Sequence, residues 1–289
     1  MNYSPTYIRY LFLFCILFTS SAVSADTPKR ISGAEIERSD RYLLPSKVVN
    51  DNFRIDVIRP IGYNSSTDHY PVIYVTDANY LLPSAAASYL AQATNEFPKV
   101  IIVGIGWDVP SITRIRVRDF TPTCDRAYLS GGSLQDAECG KADKFVKFIE
   151  SELKPFIDNT YRTKNDNTLV GYSFGGLFAL HVLFNHTHVF DHYLIGSASM
   201  GWDNQFVFKA ETAYAKTNDD LAKTLYLSAG GLEKNRTVSN TYVMHEMLEE
   251  RQYKNLKSKL EVLPDESHMT SINGFVMRGL RFVLVDSKQ

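Results

Sequence analysis

Gly171-Tyr172-Ser173-Phe174-Gly175 places a serine midway between two glycines. Leu169-Val170 before it reads as strand, and Gly176-Leu177-Phe178-Ala179-Leu180 after it reads as helix. That context fits a serine held at a sharp strand-to-helix turn, with its hydroxyl exposed for nucleophilic attack. Small residues two before and two after the serine keep the turn free of clashes. The helix start aims amide hydrogens at the point where negative charge would develop in acyl transfer.

A serine hydroxyl is a weak nucleophile without a base. Serine hydrolases of this topology present serine, acid and histidine in that chain order, which removes His69. His181, His186, His188 and His192 fall on the helix after Ser173 or at its end, where a histidine serves the helix surface or its dipole. His245 lies among Glu246, Glu249 and Glu250 on what reads as a solvated helix face. His268 remains, in the turn after the apolar run Leu260–Leu263 and before a final helix, and it is the expected base. Glu233, just past the run Thr224–Ser228, is the expected acid orienting it. Asp265 and Glu266 are too close in sequence to reach around to the ring, and a bare Ser–His pair stays open. Two backbone N–H groups would hold the oxyanion: that of Phe174, and that of Ala78 or Asn79 in the turn after the third strand. With no H-E-x-x-H, no C-x-x-C and no Gly-rich phosphate loop, neither a metal nor a cofactor is expected.

These residues need rigid elements to carry them. Pro71–Val75 and Val100–Gly104 are continuous β-branched runs, as expected of strands buried on both faces of a parallel sheet. Asn52–Pro60, Thr168–Tyr172, Tyr193–Ser197, Thr224–Ser228 and Lys259–Leu263 also read as strands. Helical patterns fill Ala85–Thr94, Lys141–Ile157, Leu177–Phe184, Tyr242–Tyr253 and Ile272–Leu284. In Lys141–Ile157, Phe145, Phe148, Ile149, Leu153 and Phe156 share one face. The alternation predicts an α/β fold with a mostly parallel central sheet and helices on both faces. Asp108–Gly140 reads as one long irregular connection at the functional edge of that sheet.

The chain has 289 residues, 44% of them apolar and 22% charged, which excludes disordered, fibrous and coiled-coil classes. With 31 Lys+Arg against 32 Asp+Glu, no basic excess draws in nucleic acid. Residues 1–25 read as a signal peptide: Arg9 is the only charge, Leu11–Phe18 is the apolar stretch, and Val23-Ser24-Ala25 precedes a cut at Asp26. That stretch is far short of the roughly 20 residues needed to span a bilayer, so no stable membrane insertion is expected after cleavage. Residues 26–289 would then form one secreted or periplasmic domain. Cys124 and Cys139, the two cysteines outside the leader, are expected to form a disulfide in an exported chain.

Taken together the segments resemble the putative esterase family related to esterase D, which includes enterobactin esterases and the mycolyltransferases of the antigen 85 group. The likeness is carried by Val72–Asn79, Arg116–Pro122, Glu152–Ile157, the Ser173 turn and Glu266-Ser267-His268, and it spans nearly all of residues 40–285. It implies the α/β-hydrolase fold, Asn79 as the second oxyanion donor and Glu233 as the acid. Ala78 stands where many relatives have Gly, and Met269 follows the histidine where they often have Gly. The periplasmic siderophore esterases are the most similar branch. They cut the trilactone backbone of catecholate siderophores, so any iron would arrive on the substrate, a small-molecule ester. Arg114, Arg116 and Arg118 could hold catechol oxygens, though Arg116 could instead pair with Asp119. Trp107 could stack on an aromatic group or fill core. A general or feruloyl-type esterase, an acyltransferase of the same fold and a non-catalytic binding protein are the competing readings.

Overall fold

The computed structural model describes residues 36–93, 96–130, 134–234 and 236–288. The leader expected at 1–25 lies outside them. The described residues fall within one compact unit, Glu35–Gln289.

Eight strands form one sheet: β1 (Ser39–Ser46), β2 (Asp51–Ile58), β3 (Tyr70–Val75), β4 (Ile101–Gly106), β5 (Thr163–Tyr172), β6 (His192–Gly196), β7 (Thr224–Gly230) and β8 (Lys257–Leu263). Their order is β1-β2-β4-β3-β5-β6-β7-β8. β1 and β2 run antiparallel to their neighbours, and the rest is parallel. The apolar runs behave as expected of strands buried on both faces. In β3, Val72 and Tyr74 enter the core on one face while Ile73 and Val75 enter the core on the other. α1 (Ala78–Gln92) and α9 (Ser271–Leu284) cover the second face through Leu81, Leu82, Tyr89, Phe275 and Leu280. The first face is covered by α2 (Thr113–Phe120), α4 (Ala142–Phe148), α6 (Phe174–Asn185) and α8 (Thr237–Arg251), with α3 (Arg126–Leu129), α5 (Lys154–Thr160) and α7 (Trp202–Ala215) completing the chain order.

The topology fixes where the loops meet. After β3 the chain steps outward to β4, then returns so that β5 pairs with β3 on its other side. The loops leaving β3 and β5 therefore begin side by side, at the point where strand order reverses and α/β sheets open a crevice. Val75 is in register with Val170, and the next residue, Thr76, donates both its N–H and its hydroxyl to the Val170 carbonyl at 3.0 and 2.9 Å.

Four sequence expectations change. The helix expected at Ala85 begins at Ala78 and carries Pro83 inside it. The single helix expected over Lys141–Ile157 is α4 and α5 joined by a wide π-turn, Ile149–Leu153. Pro155 explains the widening: it has no N–H for the preceding turn, and its ring would clash with the carbonyl four residues back. The irregular stretch Asp108–Gly140 contains α2 and α3. β1 and α7 were not expected at all.

Candidate active site

Ser173 sits between β5 and α6 with φ 59° and ψ −116°, a backbone region that a non-glycine residue occupies only where its surroundings hold it. The Ser173 N–H is held by the Gly196 carbonyl at 3.0 Å, and its own carbonyl accepts from Leu177 and Ser199, both at 3.0 Å. The flanking glycines are sterically required. A Cβ on Gly171 would lie 2.1 Å from the Gly175 carbonyl oxygen, and one on Gly175 would lie 2.6 Å from Thr76 Oγ1. The Phe174 amide opens α6, where an N–H has no intrahelical acceptor.

His268 follows β8, and its Nδ1–H donates to Glu233 Oε2 at 2.6 Å. A carboxylate can only accept, so Nδ1 carries the proton and Nε2 keeps a lone pair. His268 is 42% exposed and Glu233 only 3%. The other carboxylate oxygen of Glu233 accepts from the Gly230 N–H at 2.8 Å and from the Ser197 hydroxyl. Burial pushes the Glu233 carboxyl up, but the bonds from His268, Ser197 and Gly230 outweigh it and hold it below its ordinary value. Nε2 of His268 and the Ser173 hydroxyl make no hydrogen bond among the described residues. Such contacts tighten when substrate binds.

The loop after β3 brings a second helix start to the same place. Asp77 is in the left-handed region at φ 54°, and Ala78 and Asn79 are the first two residues of α1, with no intrahelical acceptor for their N–H groups. Asn79 is tied to the end of β4: its Nδ2 donates to the Trp107 carbonyl at 2.9 Å, and its Oδ1 accepts the Trp107 N–H at 3.1 Å. Gly104 and Gly106 make room, since a Cβ there would meet Ala78 Cβ at 2.9 Å and Asn79 Oδ1 at 2.6 Å respectively.

A cleft of about 580 Å³ opens beside His268 and Glu233. Phe174, Tyr128 and Trp202 form one wall, with ring centroids 5.2 to 6.1 Å apart. Leu232 and Lys234, on the turn that carries Glu233, also line the cleft. The Cys124–Cys139 disulfide is present, with Cα atoms 5.2 Å apart. It closes the segment carrying Tyr128, which is further held by Trp202 Nε1–H donating to the Thr123 carbonyl at 3.2 Å.

Three expected substrate contacts are otherwise engaged. Arg116 grips the buried Asp77 through Nε and Nη2 at 2.7 and 2.9 Å, so its partner is not Asp119 and its charge is spent inside the protein. Its guanidinium lies 5.7 Å from the Phe174 ring centroid, so one side chain touches both the turn after β3 and the turn after β5. Arg118 pairs with Asp119 and Asp51. Trp107 is 1% exposed and packs on Phe53 and Phe120 as core. Five other histidines have carboxylate partners of their own: His181 and His186 on Asp143, His188 on Glu150, His192 on Asp166, and His245 facing Glu249.

Two features of the site were not foreseen. Tyr172, the residue before the serine, donates to the His268 carbonyl at 2.6 Å and contacts Ser271 Oγ at 2.6 Å and Ser197 Oγ at 2.7 Å. It was readable only as a strand residue. The aromatic wall joins Tyr128, Phe174 and Trp202 across 74 positions of chain, with no local signal.

Residues 46–274 match the family model described as "Putative esterase". The ferri-bacillibactin esterase BesA of Bacillus subtilis is 32% identical over 270 residues, covering 88% of this chain and 90% of that protein. The crystal structure of the BES protein from Bacillus cereus superposes with a TM-score of 0.76 at 27% identity, covering 89% of this chain and 99% of that one. The IroE-like serine hydrolase from Shewanella oneidensis gives 0.76 at 28% identity, over 86% and 80%. Among the described residues no helix is long and apolar enough to cross a membrane. The chain belongs to the putative esterase family and is a carboxylic ester hydrolase with the α/β-hydrolase type of fold.

Proposed function

We propose that this chain is an exported serine esterase that opens the lactone backbone of a catecholate siderophore to release its iron. The observation that carries the chemistry is the His268 Nδ1–Glu233 Oε2 bond of 2.6 Å beside the strained Ser173 turn. The bond leaves the Nε2 lone pair free to take a proton. Ser173 Oγ attacks the ester carbonyl carbon, and its proton passes to His268 Nε2. The oxyanion is received by the N–H groups of Phe174 and of Asn79 or Ala78. Collapse breaks the bond to the ring oxygen, which takes the proton back from His268 and stays on the opened siderophore as a hydroxyl. Water, deprotonated by His268, then attacks the acyl-serine carbon; the bond to Ser173 Oγ breaks, Oγ takes the proton back from His268, and the acid is freed. Glu233 remains ionised throughout and holds the imidazolium in place.

Support for the substrate comes from the relative BesA, named as a ferri-bacillibactin esterase, and from the cleft itself. Its wall of Tyr128, Phe174 and Trp202 suits flat catechol rings, and the exposed Lys234 suits their negative charge. Export is supported by the leader pattern of residues 1–25 and the Cys124–Cys139 bond.

The test is hydrolysis of ferric and iron-free enterobactin beside p-nitrophenyl acetate and butyrate, with Ser173→Ala as control. Trilactone cleavage lost in the variant supports the whole reading. Activity confined to the simple esters keeps the triad and refutes the siderophore. Fluorophosphonate labelling that ignores Ser173 refutes the nucleophile.

A further inference from the structure

We propose that Asp143, His181 and His186 bind a divalent transition-metal ion, Zn2+ fitting best, at the end of α6 remote from Ser173. Asp143 is the second residue of α4, His181 lies within α6, and His186 is the residue that ends α6. Five positions apart, the two histidines would point in different directions on a regular helix. The chain leaves the helix at His186, with φ −138° and ψ 47°, and swings the second ring back until the centroids are 5.4 Å apart.

Both rings aim Nε2 at the same carboxylate oxygen, Asp143 Oδ1, at 2.8 and 2.9 Å. The other oxygen, Oδ2, makes no hydrogen bond among the described residues. All three donor atoms lie within 4.8 Å of one another. A tetrahedral zinc ion with bonds of 2.0–2.1 Å needs its ligands about 3.3 Å apart, so a shift of about an ångström at the half-buried His186 completes the set. Two imidazoles and a carboxylate are the borderline donors that zinc and its first-row neighbours select. An ion there replaces two N–H protons converging on one oxygen.

A partner for the buried ring is in place. Asn185 Nδ2 lies 3.1 Å from His181 Nδ1. Asn185 Nδ2 also donates to the His181 carbonyl at 3.1 Å, so when Nε2 holds an ion and Nδ1 carries the proton, the Asn185 amide gives up that bond and turns over to present its oxygen. Asp143 is 72% exposed, which leaves the remaining coordination position to water. Along α6 the two histidines stand about 12 and 20 Å from the Ser173 turn, so the ion would fasten α4 to α6 and take no part in the chemistry there.

The test is calorimetric titration of the tag-free, EDTA-stripped chain with ZnCl2. One ion per chain is expected, with Tm rising about 5 °C at a hundredfold excess over Kd. Asp143→Ala and His186→Ala should each weaken binding at least tenfold. His188→Gln, on the neighbouring Glu150 pair, and His268→Ala, which removes the His–carboxylate pair beside Ser173's cleft, should bind as the parent does. No saturable uptake of Zn2+, Ni2+ or Cu2+ overturns the proposal, as does uptake that survives both ligand substitutions or is lost in His268→Ala.

Discussion

Glu233→Gln isolates what the carboxylate does, because it changes one atom at a site whose three hydrogen-bonding neighbours are fixed. Glu233 faces three donors: His268 Nδ1–H at 2.6 Å, the Gly230 N–H at 2.8 Å and the Ser197 hydroxyl. A glutamine has one accepting oxygen. If it faces Gly230 and Ser197, its NH2 meets His268, which must move its proton from Nδ1 to Nε2 to accept. The base then has no lone pair for the serine proton. If the oxygen faces His268 instead, the NH2 is driven against the Gly230 N–H, leaving buried donors unsatisfied at a cost of about 1–3 kcal/mol. The first arrangement keeps more hydrogen bonds and wins. A wrong tautomer in an intact triad costs about 10⁴ in rate. The expected fall in kcat on p-nitrophenyl butyrate is 10³–10⁴-fold, about 4–5.5 kcal/mol of transition-state stabilisation, with KM nearly unchanged. A variant that folds with the parent Tm and keeps kcat within about tenfold would refute the reasoning, and His268 would then work as one half of a dyad. The acid side gives a second check. The folded carboxyl lies below its ordinary 4.5. Its stabilisation is therefore fully present above pH 4.5 and is lost only as pH falls through the depressed value. Glu233 should contribute no acid limb to the rate profile at or above pH 4.5.

Arg116→Met leaves the Asp77 carboxylate buried without its partner and should cost about 3–5 kcal/mol of stability by urea unfolding. Burial raises the Asp77 carboxyl against the lowering effect of Arg116, so removing Arg116 raises it further. An acid raised in the folded state makes stability fall as pH climbs from its unfolded to its folded value, so the loss should be larger at pH 8 than at pH 4. Equal losses at both would show that Asp77 is not charged in the parent. Cys124→Ser with Cys139→Ser opens a loop of sequence separation 15, worth about 3 kcal/mol, and should lower Tm by roughly 6–12 °C in differential scanning calorimetry. The same change should raise KM for an aromatic siderophore more than for p-nitrophenyl acetate, because Tyr128 rides on that loop. Tyr172→Phe removes the hydroxyl that holds the His268 carbonyl and should lower kcat roughly tenfold at unchanged KM. An unchanged kcat would mean that Glu233 alone aims the base.

The strands were legible because their burial is two-sided. Val72–Val75 and Ile101–Val103 can only be read as apolar runs, and the sheet buries every one of those residues. α2 was not legible. Thr113-Arg114-Ile115-Arg116-Val117-Arg118 alternates like a strand, and its helix is chosen by partners distant in sequence: Asp77 for Arg116, Asp51 for Arg118, and a core slot for Val117 and Phe120. The helix expected over Ala85–Thr94 begins at Ala78, ahead of Pro83. The turn at Asp77 and the Asn79–Trp107 pair fix the first residues before the proline is reached, and the loss of one N–H is tolerated.

The same division runs through the site. The candidates Ser173, His268 and Glu233 each answer to a local rule: a turn that only small neighbours permit, and the ends of successive parallel strands. What surrounds them does not, since it depends on side chains meeting across the switch point. Arginines near a site for anionic ligands invite a binding role, and the fold spends two of the three on buried acids instead. The structural demand is prior: Asp77 must sit in a tight turn under the oxyanion-side helix, and a buried carboxylate needs a fixed cation beside it. Once Arg116 meets that demand, positive charge for a substrate has to come from the exposed rim, which is where Lys234 stands, on the same turn that positions Glu233. On the proposed reading, binding charge and catalytic acid are carried by one short segment after β7, and a change in that turn should alter affinity and rate together.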